Sequence, residues 1–197
     1  MLSKNNSCDG LTNSYTKCFG GREDVELDGK DSKEEILNSV EKMATEYEQT
    51  YRGCARSSLA ALQRQFFFGN DETLKASTPL AAGIAFKGEV CGGLLGGIMA
   101  LGILTASQDL SDSRAMGKAM AMGYRLYHRF VKEMGTAHCF KIQEMKWGRH
   151  FNLADPKEYE DFQKAGGYAE CSKVVGKAAR LAAEMILELR EKEGEKK

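Results

Sequence analysis

Apolar residues recur at helical spacing along this chain from Ile36 onward and show no such order before it. Residues 1–31 are polar, rich in Asn, Ser, Gly and Asp, and read as a flexible N-terminal arm carrying Cys8 and Cys18. Residues 32–197 read as one helical domain. Ser32 with Glu35 forms a capping-box pattern, and Ile36, Val40, Met43 and Tyr47 mark the apolar face of a first helix. Gly53 interrupts it. A second helix follows from Cys54, with Ala55, Leu59, Leu62 and Phe66 on one face, and a short one is expected from Glu72 to Ser77. The stretch 78–88 is too glycine-rich and irregular for a regular element. It leads into the most apolar helix of the chain, Val90 to Ser107. A further helix runs from Asp112 to Met134, capped by Ser111 or Asp112 and stopped by Gly135. A shorter one opens at Cys139 and reaches Met145, and a small one lies near Tyr159 to Lys164. The last is expected to start at Cys171 and to turn Val174, Val175, Ala178, Ala182, Met185 and Leu189 inward. Strand-like alternation is nearly absent. The fold class is all-α: a compact multi-helix bundle around a glycine-rich central helix.

Composition narrows the function classes. A chain of 197 residues with 42% hydrophobic content can bury one substantial core. Its 28 basic and 28 acidic residues balance, and no basic cluster with interleaved aromatics occurs, so no nucleic acid partner is expected. The uncharged run from Val90 to Ala106 falls short of the ~20 residues that cross a bilayer, so no membrane span is expected. Gly92, Gly93, Gly96, Gly97 and Gly102 instead let backbones approach closely, toward a partner helix or a cofactor. The N-terminus lacks the layout of a secretory signal, which makes the expected localisation cytoplasmic and the expected cysteines reduced. No nucleotide fingerprint, hydrolase elbow or zinc-protease pattern is present.

The cysteines carry the chemistry. Cys54, Cys91, Cys139 and Cys171 each fall where a helix is expected to start, and a helix N-terminus favours thiolate over thiol. Thiolate ligates metals, attacks disulfides and passes electrons. There is no Cys-x-x-Cys, so convergence would have to come from four separate helix ends. Burial as small core residues is the plain alternative. Among the histidines, His128 reads as structural or surface. His138 could tune Cys139 or ligate metal but reads first as a helix cap. His150, beside Trp147 and Arg149, suits an anion or partner contact. Glu89 could exchange a proton with a nearby thiol, or simply favour the helix dipole.

Gly53-Cys54-Ala55-x-x-Ser58, Gly88-Glu89-Val90-Cys91-Gly92 with Gly96-Gly97, and single Cys139 and Cys171 resemble the C_GCAxxG_C_C family, whose members are described as redox-active. The resemblance covers roughly Lys33 to Leu189, and its most specific part is the Gly88–Gly92 segment. It departs at Ser58, where the motif has glycine, and at Trp147-Gly148-Arg149, where other members can carry a further cysteine. It implies a helical, cysteine-dependent redox protein. A similar domain accompanies split-Soret-type cytochromes, which carry haem and an iron–sulfur centre, so the resemblance makes an iron–sulfur cluster a concrete option.

Three functional expectations stand side by side. Cys54, Cys91, Cys139 and Cys171 ligate an iron–sulfur cluster for electron transfer. Alternatively, with no cofactor, they act as redox-active thiols in dithiol–disulfide exchange. In the third reading the protein is a structural helical binding module with inert cysteines. The redox readings imply a redox partner protein or a small-molecule electron donor. A homodimer is expected from the small-residue face of Gly92, Gly96 and Gly97 and from the Met-rich helix with Met116, Met120 and Met122.

Overall fold

The computed structural model describes residues 32–194; the expected arm, residues 1–31 with Cys8 and Cys18, lies outside the described residues. Helix α1 (Lys33–Tyr51) starts from the capping box: Ser32 Oγ accepts the Glu35 amide while the Glu35 carboxylate accepts the Ser32 amide. Its buried stripe is Leu37, Val40, Ala44 and Glu48, with Ile36, Met43 and Tyr47 on the half-buried flank. α2 (Cys54–Phe66) follows after Arg52 and Gly53, both at positive φ. α3 (Asp71–Ala76) and a 3-10 turn (Thr78–Leu80) lead to a short turn, α4 (Ala81–Ile84). The apolar α5 (Gly92–Thr105) is followed by α6 (Ser113–Met134), α7 (Cys139–Trp147), α8 (Pro156–Lys164) and α9 (Gly167–Gly194). Asp112 caps α6 by accepting the Ala115 amide, and Gly135 at φ +79 ends it. The fold is all-α. Its one β-type feature among the described residues is an isolated antiparallel bridge between Val90 and His138.

α5 is the centre: α2, α6 and α9 pack around it, while α1 lies along α9 and against α2. Such close packing on several sides needs small residues. A Cβ on Gly96 would overlap the Ala55 carbonyl and stand 3.0 Å from Ser58 Cβ on α2. One on Gly97 would come within 2.9 Å of Leu126 on α6 and 3.1 Å of Ala182 on α9. Gly92, Gly96 and Gly97 are therefore buried within the helical bundle. Met122 is buried as well; Met116 and Met120 are exposed. α5 has 14 residues, and among the described residues no helix is long and apolar enough to cross a membrane.

The irregular stretch before α5 has an unusual cause. Ala82, Gly83, Ile84, Ala85 and Phe86 all have φ between +48 and +68. For an L residue this conformation costs about 1–2 kcal/mol, so it persists only where the surroundings hold it. Here the chain closes on itself: Gly88 N–H donates to Ala82 O at 3.2 Å, Glu89 N–H to Gly83 O at 3.0 Å, and Ala85 N–H to Pro79 O at 2.8 Å.

Two glycine substitutions in α5 separate packing from propensity. Gly96→Ala forces α2 away from α5 and is expected to destabilise by about 1–3 kcal/mol. A Cβ on Gly102 meets nothing within 4 Å, so Gly102→Ala is expected to stabilise by about 0.5–1 kcal/mol. Urea denaturation of the two variants should move the midpoint in opposite directions.

Candidate functional site

The bridge between Val90 and His138 sets the site. Cys91 N–H donates to Ala137 O at 2.8 Å and Cys139 N–H donates to Glu89 O at 2.6 Å, pairing the start of α5 with the start of α7. Side chains alternate along paired extended segments, so Val90 and His138 share one side while Cys91 and Cys139 share the other. Cys54 enters from α2, where Gly92 leaves room: a Cβ there would overlap Cys54 Sγ. The same sulfur accepts the Ala82 amide at 3.4 Å, from the left-handed segment. Cys171 arrives on α9. All four thiols are free, and all four line one cavity of about 740 Å³.

Three of the four helix-start assignments hold. Cys54 and Cys139 are the first residues of α2 and α7, and Cys91 is the N-cap of α5. Cys171 lies in the second turn of α9, which begins at Gly167. The helix starts early because Gly166, at φ +74, turns the chain and seats Tyr168 edge-on against Phe162, with ring centroids 5.3 Å apart.

The expectation of stabilised thiolates does not survive burial. Removal from water pushes the Cys91 thiol up to about 12, with the neighbouring Cys139 adding to it and the Gly93 and Leu94 amides opposing it. Burial, then Cys54, push Cys139 up to about 12 as well, against the Gln143 side-chain amide that donates to its sulfur at 3.6 Å. Cys54 is raised by burial and then by Cys91 and Glu48, and Cys171 by burial and then by the other three cysteines. Cys54, Cys139 and Cys171 are only half-buried by surface exposure, because they face a cavity rather than packed atoms. Burial favours the neutral thiol at each of the four sulfurs, and each one raises the energy of a charge on its neighbours.

Several residues of this cavity went unrecognised in the sequence. Glu48 is 3% exposed and lines the cavity near Cys54; its carboxylate accepts the Ser57 hydroxyl at 3.0 Å. Burial pushes it up to about 7, opposed by Ser57, Arg52 and the Gly53 amide. The signal was present: Leu37, Val40, Ala44 and Glu48 fall on one helical stripe, so the glutamate occupies a core position. Arg52 donates to Tyr159 Oη at 2.9 Å and lies 4.1 Å above the Tyr168 ring, and the two tyrosine hydroxyls are 3.1 Å apart. These three side chains also line the cavity.

The other candidates lie elsewhere. Glu89 is exposed, 4.0 Å from His138 Nδ1, and lines no part of the cavity. His138 is the N-cap residue of α7, but its side chain makes no cap hydrogen bond and Nδ1 is buried without a hydrogen-bond partner. His150 Nδ1 lies 3.6 Å from Glu144, and His128 stacks edge-on against Tyr124 at the surface. Among the described residues, no group of three or more His, Cys, Asp or Glu side chains is drawn together as a single metal ion requires.

Residues 52–185, more than half of the chain, match the model of the family described as "Putative redox-active protein (C_GCAxxG_C_C)". The chain belongs to this family. Comparison with curated proteins and with solved structures gave no match.

Glu48 yields a pH prediction. Its carboxyl binds a proton more tightly in the folded chain (about 7) than in the unfolded one (about 4.5), so the native state holds more protons between those values. Stability is therefore full below about 4.5 and falls as pH rises to about 7, by up to about 3 kcal/mol. Urea midpoints from pH 5 to 8 under reductant should decline in the wild type and stay level in Glu48→Gln. Equal slopes in the two proteins would mean that Glu48 ionises as a solvated carboxylate.

Proposed function

We propose that this member of the C_GCAxxG_C_C family is an electron-transfer protein whose Cys54, Cys91, Cys139 and Cys171 ligate an iron–sulfur cluster. The supporting observation is that four cysteines from four helices face one cavity. Four cysteine donors are the usual ligand set of two-iron and four-iron clusters. When bound, a cluster supplies reversible one-electron chemistry. The chain would hold it with thiolates, the cationic irons offsetting the mutual repulsion that keeps the bare sulfurs protonated. The Ala82 amide at Cys54 and the Gln143 amide at Cys139 are donors of the kind that tune the potential of ligating sulfurs. Gly92 gives the cavity its space beside Cys54.

The metal-free reading, in which Cys54 or Cys91 attacks a disulfide, has less support. Attack requires thiolate, and a buried thiol held at about 12, as at Cys91, supplies almost none at pH 7. The inert-core reading fits Cys91 best, at 6% exposure, and the three cavity-facing cysteines less well.

Anaerobic purification is expected to give a coloured protein with iron and acid-labile sulfide in constant ratio. Each of Cys54→Ala, Cys91→Ala, Cys139→Ala and Cys171→Ala should lose most of both. A colourless, folded protein without iron or sulfide overturns the cluster. In that case, one dominant intramolecular disulfide in mass mapping after diamide treatment would establish the dithiol reading instead.

A further inference from the structure

The cavity is larger than four sulfurs need. At about 740 Å³ it lies within the roughly 300–1,000 Å³ typical of small-molecule sites, and the cysteines account for only part of its wall. Much of the rest is aromatic: Tyr51, Phe86, Tyr159 and Tyr168. Tyr51 is 71% exposed and Phe86 53% exposed, so both present apolar ring surface to solvent beside a cavity. The polar groups are few and fixed. Arg52 is braced by the Tyr168 ring at 4.1 Å and by the Tyr159 hydroxyl at 2.9 Å, which leaves further guanidinium donors to meet an acceptor oxygen.

Backbone strain gathers at the same place. Arg52 has φ +59, and the left-handed run contributes Ala82 and Phe86 to the lining. Strained residues that persist in a fold cluster at ligand clamps and active sites.

We propose that this aromatic part of the cavity binds a small planar ring compound bearing an acceptor oxygen, with Arg52 meeting the oxygen and the aromatic side chains flanking the ring. The chemistry excludes bulkier classes. Two guanidinium groups, Arg52 and Arg56, share the lining with the Glu48 carboxyl among mostly apolar side chains, which matches neither a polyphosphate nor a sugar. A quinone carbonyl and an aromatic carboxylate share the required features. In either case the ring lies in the cavity that the cysteines line. The inference rests on the cavity and not on the cluster.

The test is equilibrium dialysis of the full chain, with iron measured in each sample, against two probes. Duroquinone carries methyl groups at every ring position, so thiols cannot add to it; 2-naphthoate offers a carboxylate on a flat ring. Binding of either probe, weakened about tenfold or more in Arg52→Gln or Phe86→Ala, supports the proposal, and the preferred probe identifies the source of the oxygen. Both substitutions remove exposed side chains, and a thermal melt of each checks that the fold persists. Binding of neither probe, or binding unchanged in both variants, overturns the proposal. Iron-free protein that binds a probe would sink the cluster and keep the ring site. Iron-loaded protein that binds none would do the reverse.

Discussion

Close approach of α5 to its neighbours is the constraint on which the site depends. At Gly96 the backbone of α5 reaches the Ala55 carbonyl of α2, and at Gly92 it reaches Cys54 Sγ. These two contacts are one turn apart on the same face, so the spacing that lets the helices touch also delivers the first cysteine to the second. Gly93 continues the pattern toward α9, where a Cβ would meet Val175 Cα at 3.2 Å, one turn from Cys171. Ser58, which stands where the family motif has glycine, is fully buried against Gly96, and its hydroxyl has no hydrogen-bond partner. The small residue needed at this crossing is supplied from α5 instead of α2. An orphaned hydroxyl of this kind costs about 1–3 kcal/mol, which shows how firmly the surrounding contacts fix the crossing.

Two electrostatic effects compete at the thiols, and their sizes decide between them. Partial charge at a helix N-terminus contributes about 0.3–1 kcal/mol in favour of an anion. Burial acts the other way: removal from water, with repulsion from Cys139 added, pushes the Cys91 thiol up to about 12 although the Gly93 and Leu94 amides oppose it. Desolvation wins by a wide margin. Helix starts at these cysteines therefore aim N–H groups at sulfur without charging it. Such donors give a bare nucleophile little help.

The two helices α1 and α6 were legible from their caps, whereas the Asp155 cap that starts α8 at Pro156 was passed over in favour of a start near Tyr159. Ser32 with Glu35 and Asp112 with Gly135 bound α1 and α6 as read from sequence, because capping is local chemistry. The cysteine set was legible through its family pattern, and three of its members sit at helix starts. What escaped depends on tertiary context. A glutamate on an amphipathic helix is ordinarily solvated, so Glu48 stayed hidden although its position repeats the Leu37, Val40, Ala44 stripe. Cys171 lies a turn inside its helix because Tyr168 docks on Phe162, a contact invisible to spacing rules. The left-handed run from Ala82 to Phe86 has one glycine among five residues, and nothing local would favour it.

The cavity also draws on residues just ahead of the matched segment, since Glu48 and Tyr51 belong to the end of α1. Their placement is fixed far away, along the contact of α1 with α9. Gly176 lets the helices touch: a Cβ there would overlap Thr45 Oγ1 and stand 2.8 Å from the Glu41 carbonyl. Arg180 then pins the register, reaching Glu34 at 2.6 Å, Asn38 at 2.7 Å and Glu41 at 3.3 Å with its side chain only 14% exposed. A shift of α1 by one residue would rotate Glu48 about 100° off the buried stripe and carry Arg52 away from Tyr159 and Tyr168. The glycine seam of α5 sets the cysteines, and this second small-residue contact sets the carboxyl and the guanidinium that share their cavity. Rigid helix packing thus brings the cysteines into one cavity with groups that the cysteine motif does not contain.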